Sequence, residues 1–268
     1  GAPFDDDPQV STGVLTRAFD QARRDRSVKG IVLRIDSPGG DALASDAIHR
    51  AFAVAAKAKP SVVSMAGVAA SGGYYIATPS SHVFASPGTV TGSIGIFGGK
   101  LDMSGMYQKI ALGKELYTRG QYSGMLTATR PFTDDERQKY MEQLRAFYDH
   151  FVDLAATRSR LSADSVDHLG RGRVWSGEEA KANGLVDDLG GLWESLAYLQ
   201  KQTGVTRYRV ELYPRRRPLF VWPGRNLLSM AVKFIAGGRE ELPTALTSTD
   251  PDSEGLILAR MPYDLNIR

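Results

Sequence analysis

The 268-residue chain contains no cysteine. That removes disulfides, thiol nucleophiles and thiolate metal ligands, and leaves the redox compartment unmarked. No uninterrupted apolar run approaches the roughly 20 residues that a spanning helix needs, and the sequence opens at Gly1 without a basic, apolar leader. Neither fact assigns a compartment. Net charge is nearly absent: 33 basic against 30 acidic side chains leave +3, too small an imbalance for the field with which proteins hold nucleic acid. Nucleic acid is therefore not expected as a partner. Repeats, heptads and low-complexity arrays are missing as well. What is present, 42% hydrophobic and 24% charged residues, is the balance of a folded chain with room for one large domain and an appendage.

The stretch KGIVLRIDSPGG (29–40) predicts a buried strand whose carboxyl end opens into a tight Pro-Gly-Gly loop. Alanine-rich helical periodicity over 41–58 and a second strand at 61–65 complete a βαβ unit. A short helix after Ser71 and through Ala77, a strand over 82–86 and a glycine-rich stretch over 89–99 follow, and 115–120 reads as a further strand. A long helix is expected from Thr133 to Arg160. Thr133 is a favourable N-cap, and Asp134, Asp135 and Glu136 put carboxylates where the helix dipole suits them. Helices near 163–168, 177–183 and 191–202 close an α/β body spanning 9–204, behind a leading segment 1–8. Residues 205–268 read as a C-terminal extension. It holds a strand-like piece with Arg215, Arg216 and Arg217 between prolines (207–224), an apolar helical stretch (226–238) and a polar loop (247–255). This extension suits packing on the body or on a neighbouring subunit better than contact with an anionic membrane surface, because an apolar helix this short is commonly buried at an interface.

Within VAASGGYYIATP (68–79), Ser71 stands where a loop turns into a helix. A serine hydroxyl attacks only when a base takes its proton and when preorganised donors hold the resulting oxyanion. The amide of Gly72, at the positive end of the new helix, is one candidate donor. Gly39 and Gly40 lie at the carboxyl end of the neighbouring strand, where ligands collect in α/β sheets, and there glycine lets a bare amide approach a carbonyl closely. Taken by themselves, both stretches are equally readable as tight turns around small residues.

RIDSPGG (34–40), VAASGGYYIATP (68–79), TVTGSIGIFG (89–98) and GRVWSGEEAKANGLVDDLGG (172–191), in this order and spacing, closely resemble the signal peptide peptidase A (protease IV) family. The resemblance implies a Clp protease/crotonase-like fold of repeated β-β-α/βαβ units, serine peptidase activity on cleaved signal peptides and other apolar peptides, and residence at the membrane of the bacterial cell envelope. It requires no cofactor and no metal. It also implies a homo-oligomer. Carried over residue by residue, it makes Ser71 the nucleophile, the amides of Gly39 and Gly72 the oxyanion donors, and Ser93 the serine that orients the base.

That family pairs serine with a desolvated lysine. The matching position in YTRGQYSGML (117–126) is Ser123. Lys29, Lys57 and Lys59 belong to the amino ends of the strands at 31–35 and 61–65, opposite Ser71. Lys100 lies seven residues past Ser93, about 23 Å along an extended strand, and reaches back only if Gly98 and Gly99 fold the chain. Lys109, Lys114, Lys139, Lys181, Lys201 and Lys233 occupy polar or helical contexts that read as solvated surface. His49, His82, which begins an edge-like strand, His150 and His168 offer no setting like that of the Clp histidine. The long form of the family joins two homologous halves, the first bearing the lysine and the second the serine. This chain resembles the second half, so the lysine is expected from an amino-terminal half or a neighbouring subunit. Two other readings compete: a non-catalytic peptide-binding scaffold, and a crotonase-like acyl-coenzyme A enzyme, for which Asp36 and Asp41 are the nearest carboxylates.

Overall fold

Alternating burial along 31–37 turns Ile31, Leu33 and Ile35 to the core and makes this stretch the first strand, β1 (Ile31–Ser37). The computed structural model describes residues 11–214. Ahead of β1 runs α1 (Thr12–Arg24), a helix the sequence reading leaves unassigned. Its buried Leu15, Ala18, Phe19 and Ala22 recur at helical spacing. After β1, Asp41 caps α2 (Ala42–Ala58) by accepting from the Ala44 amide at 2.8 Å. Phe52, fully buried on α2, meets Phe19 with ring centroids 5.1 Å apart. Full burial of a side chain of this size contributes roughly 1.5–3 kcal/mol.

The next elements are β2 (Ser61–Ala70), α3 (Gly72–Ala77), β3 (His82–Ala85), β4 (Val90–Gly92) and α4 (Ser104–Lys109). The long helix α5 (Asp134–Ser159), α6 (Ala163–Leu169), β5 (Val174–Ser176), α7 (Gly177–Ala182), β6 (Asp188–Leu189) and α8 (Leu192–Thr203) complete the described chain. The predicted βαβ unit is present as β1–α2–β2, with β1 and β2 parallel. The six strands form one sheet in the order β5-β4-β2-β3-β6, with β1 on the other side of β2. This mixed α/β architecture agrees with the expected class.

Three expectations need correction. Residues 115–120 form no strand: they are exposed and irregular, with no neighbouring strand to accept their ladder bonds. Residues 207–212 also stay outside the sheet. His82 does not begin an edge strand, because β3 pairs with β2 on one side and β6 on the other. Past Gly204 the chain keeps contact with the body, since Tyr213 is only 8% exposed in the main core and its hydroxyl donates to Asp25 at 3.3 Å. The three consecutive arginines, the apolar stretch 226–238, the loop 247–255, the leading segment 1–8 and Lys233 lie outside the described residues. Among the described residues no helix is long and apolar enough to cross a membrane.

The start of α5 shows how local signals become tertiary structure. Thr133 and Glu136 form a reciprocal capping box. Glu136, 4% exposed, also receives both arms of the Arg130 guanidinium at 2.6 and 2.7 Å. The Arg130 bonds, helped by the Thr133 amide, pull the Glu136 carboxyl down to about 2. Its folded value lies below its unfolded one, so its contribution is complete above the unfolded carboxylate range near 4.3 and disappears as pH falls toward 2. Glu136→Gln is expected to lower the thermal midpoint at pH 7 and to flatten the loss of stability between about pH 4.5 and 2. Parallel melting curves of variant and parent across that window would contradict this account.

Candidate active site

Three parallel strand ends deliver the predicted residues to one place. β1 ends at Ser37 and opens into Pro38, Gly39 and Gly40; β2 ends at Ala70, just before Ser71; β4 ends at Gly92, just before Ser93. Ala70 pairs with Gly92, and the Ser71 amide donates to the Gly92 carbonyl at 2.9 Å. Ser93 therefore stands beside Ser71 at ordinary interstrand spacing, about 4.8 Å between strands. On its far side the Ser93 amide donates to the Arg173 carbonyl at 2.7 Å, which extends the antiparallel pairing of β4 with β5.

Both serines hold backbone conformations that side-chain-bearing residues rarely adopt, with φ of 50° at Ser71 and 48° at Ser93. Such positions cost on the order of 1–3 kcal/mol and persist only where surrounding structure enforces them. At Ser71 the enforcement comes from α3. Tyr74 and Tyr75 are each 1% exposed. The Tyr74 hydroxyl donates to the Leu185 carbonyl at 2.9 Å, and the Tyr75 hydroxyl to Asp46 at 2.8 Å. Burial pushes the Tyr74 phenol up to about 12 and the Tyr75 phenol still higher, with Asp46 adding to the latter. Both remain neutral donors that hold α3 in place.

Ser71 precedes α3 in the position where Ser162, Ser176 and Thr133 cap their own helices, yet its hydroxyl makes no capping bond. The positive φ turns the side chain away from the helix amides and leaves the hydroxyl available. The 37–40 loop lies directly against this turn. Gly39 has φ +108°, and a methyl group added to it would fall 2.7 Å from the Gly72 nitrogen and 2.9 Å from Ser71 Cβ. A methyl on Gly72 would fall 2.5 Å from Ser45 Oγ and 3.3 Å from the Gly40 nitrogen. At Gly39 the backbone itself leaves room only for glycine, whereas a methyl on Gly72 would require the Ser45 hydroxyl to move. The Gly72 amide sits in the first turn of α3, beyond the reach of intrahelical acceptors. The Gly39 amide is engaged, donating to Ser37 Oγ at 3.2 Å. Neither Ser37 nor Ser45 was a candidate from sequence, since nothing in the linear pattern shows which hydroxyl meets which glycine.

The structure assembles Ser71, Gly39, Gly72 and Ser93, but among the described residues it brings no lysine or histidine into hydrogen-bond contact with the two serines. Ser123 is exposed in a turn, its hydroxyl donating to the Gly120 carbonyl at 2.9 Å. Lys100 does fold back, yet its amine donates to the Met125 carbonyl at 2.8 Å and lies 4.2 Å over the Phe132 ring. Lys59 binds the Ala22 carbonyl at the opposite end of the sheet. Lys114 meets Tyr107, Lys139 meets Glu142 and Lys181 meets Asp188. Among the described residues no lysine or histidine is hydrogen-bonded to Ser71 or Ser93. His49 lies edge-on to Tyr75, and burial lowers its pKa. His82 bonds Asp188 at 2.9 Å and stacks on Tyr198, His150 flanks Tyr75, and His168 is exposed. Asp36 accepts from the Val68 amide and Asp41 caps α2. Both carboxylates the crotonase-like reading would need are thus engaged in backbone support.

A sequence model for peptidase family S49 matches residues 53–206, more than half of the chain. The chain belongs to peptidase family S49. It is 37% identical over 206 residues to the chloroplastic serine protease SPPA of Arabidopsis thaliana, covering 76% of this chain and 30% of that protein. It is 37% identical over 232 residues to Protease 4 of Salmonella typhi, covering 86% and 36%. A putative signal peptide peptidase SppA of Enterococcus faecium is 33% identical over 208 residues, covering 76% and 60%. The chain thus spans about a third of the length of the first two S49 relatives.

The methyl of Gly39→Ala would enter the space in front of the Gly72 amide. In protein supplied with its base, this substitution is expected to lower kcat for an apolar peptide ester about 10²–10³-fold with KM little changed. An unchanged kcat would place the oxyanion elsewhere.

Proposed function

We propose that this chain is the nucleophile-bearing part of an S49 serine peptidase whose general-base lysine comes from an amino-terminal half or a neighbouring subunit. One observation carries the reading: Ser71, strained and with an uncapped hydroxyl, stands beside Ser93 and the Gly39–Gly72 contact, and no lysine among the described residues is bonded to any of them. The stretch around Ser123 supports a covering partner. Phe97 is 97% exposed and Tyr117 89%, and Leu101, Ile110, Leu116 and Leu126 are exposed with them. A second copy of this chain in a homo-oligomer, or a homologous half, would bury these side chains while presenting a lysine to Ser93.

In this reading Ser71 Oγ attacks the scissile carbonyl and passes its proton to the neutral lysine amine, which hands it to the departing amine. The Gly72 amide stabilises the tetrahedral oxyanion. The Gly39 amide joins it by exchanging Ser37 Oγ for the substrate oxygen, both being oxygen acceptors. Water, deprotonated by the same lysine, then releases the acyl group. The substrates are cleaved signal peptides and other apolar peptides at the membrane of the cell envelope; the name of the Enterococcus faecium relative, a putative signal peptide peptidase, agrees with the first of these.

Hydrolysis of an apolar peptide ester by the chain alone is expected to run about 10²–10⁴-fold below that of protein containing the upstream half, with Ser71→Ala abolishing the faster rate. Equal rates for the two preparations would sink the divided site. Ser71→Ala protein that binds peptide equally well with and without the upstream half, beside parent protein that never turns over, would favour the scaffold reading. The faster rate should also climb with pH as the lysine amine loses its proton, and a profile flat from acid to alkaline pH would exclude lysine as base.

A further inference from the structure

We propose that the amino-end face of the sheet, opposite Ser71, docks on an anionic lipid surface. The chain's small net charge conceals an uneven distribution. Lys59, at the end of α2, extends its amine to the Ala22 carbonyl at 2.6 Å and to the Asp25 carbonyl, which joins the carboxyl ends of α1 and α2. The Lys29 amine reaches the Arg26 carbonyl in the same loop. Gly30 packs so closely on Leu199 that a methyl there would fall 2.8 Å from it, which brings the end of α8 to this face. From α8 the chain returns across the face: Gln200 bonds the Thr206 carbonyl, and the Tyr213 hydroxyl reaches Asp25 at 3.3 Å.

These contacts gather the exposed Arg26, Lys29, Lys57, Lys201, Arg207 and Arg209 at one end of the molecule. Arg23 and Arg24 are present too but are held by Asp20. The other carboxylates on this face are Asp25, which also receives Ser27 and Tyr213, and Glu211. Among the described residues cations outnumber carboxylates here, which gives the face a net positive field.

Charge alone does not choose between a membrane and a soluble polyanion. The segment 207–212 does, because Tyr208, Val210 and Leu212 alternate with Arg207 and Arg209 and are 48%, 52% and 66% exposed. Apolar and aromatic side chains interleaved with cations suit the boundary between headgroups and acyl chains, where the rings and aliphatic groups dip in and the cations stay with the phosphates. A nucleic acid would leave those apolar side chains in water. Docked this way, the chain would face Ser71 away from the bilayer surface.

The test is sedimentation of the full chain, carrying Ser71→Ala so that it is independent of catalysis, with vesicles of phosphatidylglycerol and phosphatidylcholine. Binding is expected to anionic vesicles at low salt, to vanish with phosphatidylcholine alone, and to weaken steeply as salt shortens the Debye length. The triple variant Arg26→Glu, Lys29→Glu, Arg209→Glu should bind at least about 100-fold more weakly, and Val210→Ser with Leu212→Ser about tenfold. Reversing Arg137, Lys139 and Arg145 on α5 should leave binding intact. Equal binding to neutral vesicles, full retention by the first triple variant, or equal loss with the α5 triple would overturn the proposal. So would an apolar double variant that binds like its parent while duplex DNA competes the protein off the vesicles.

Discussion

β2 is paired along both edges, and the arrangement of the site depends on how it is shared. One edge takes β1 along its length; the other takes β3 at Val62–Ser64 and β4 at Val68–Ala70. The change of partner occurs at a bulge. Ile35 faces Met65 but Ser37 faces Ala69, so β2 carries two extra residues there. The bulge is pinned from both sides: Asp36 accepts from the Val68 amide at 3.0 Å, and the Thr89 hydroxyl donates to the Ala66 carbonyl at 2.7 Å. Two extra residues preserve the pleat, so Met65 and Ala69 both stay buried, while β2 leaves β3 and meets β4. That exchange sets Ser71 next to Ser93.

Side-chain ion pairs and hydrogen bonds hold the rest of the body around this junction. Arg158, 3% exposed at its side chain, pairs with Asp187, which also accepts the Val83 amide at 2.7 Å and ties α5 to the beginning of β3. Arg130 and Glu136 hold the segment before α5, and the Asp167 carboxylate joins Tyr148 on α5 to Arg171 beside β5. A pair with a buried member, such as Arg158 with Asp187, contributes little net stability, but breaking one partner is costly, so it acts as a register more than as a source of energy. The strain at Ser71 and Ser93 is tolerated because this register and the two buried tyrosines leave the backbone no easier path.

Much of this was legible where the signal is local. The N-cap at Thr133, the Pro-Gly-Gly turn after β1 and the glycine after Ser71 each depend on a few adjacent residues, and each stands where it was read. The strand expected at 115–120 failed for the complementary reason. Its side chains suit a strand, but a strand exists only if another edge accepts its hydrogen bonds, and none is near. The short β5 and β6 were invisible for the opposite reason, since two or three residues carry no periodicity and are strands only because β4 and β3 lie beside them. The same holds at the site. Ser71, Gly39, Gly72 and Ser93 were found as a set through resemblance, whereas the Ser37 hydroxyl on the Gly39 amide links two atoms whose meeting depends on the direction the loop takes.

By itself the sequence determined that a lone serine, flanked by small residues, stands just ahead of a helix after a β-rich stretch. These are matters of residue identity and near neighbours. Tertiary structure decided that the ends of β1, β2 and β4 meet, that Ser71 and Ser93 share an uncommon backbone conformation, and that each described lysine with a bonded amine is engaged away from them. The reason is physical. Strand pairing joins residues as distant in sequence as Ser37 and Ala69 or Val90 and Ser176, and both the angle at which a hydroxyl leaves its strand and the acceptor an amine finds are set by hydrogen bonds between segments that no local pattern relates.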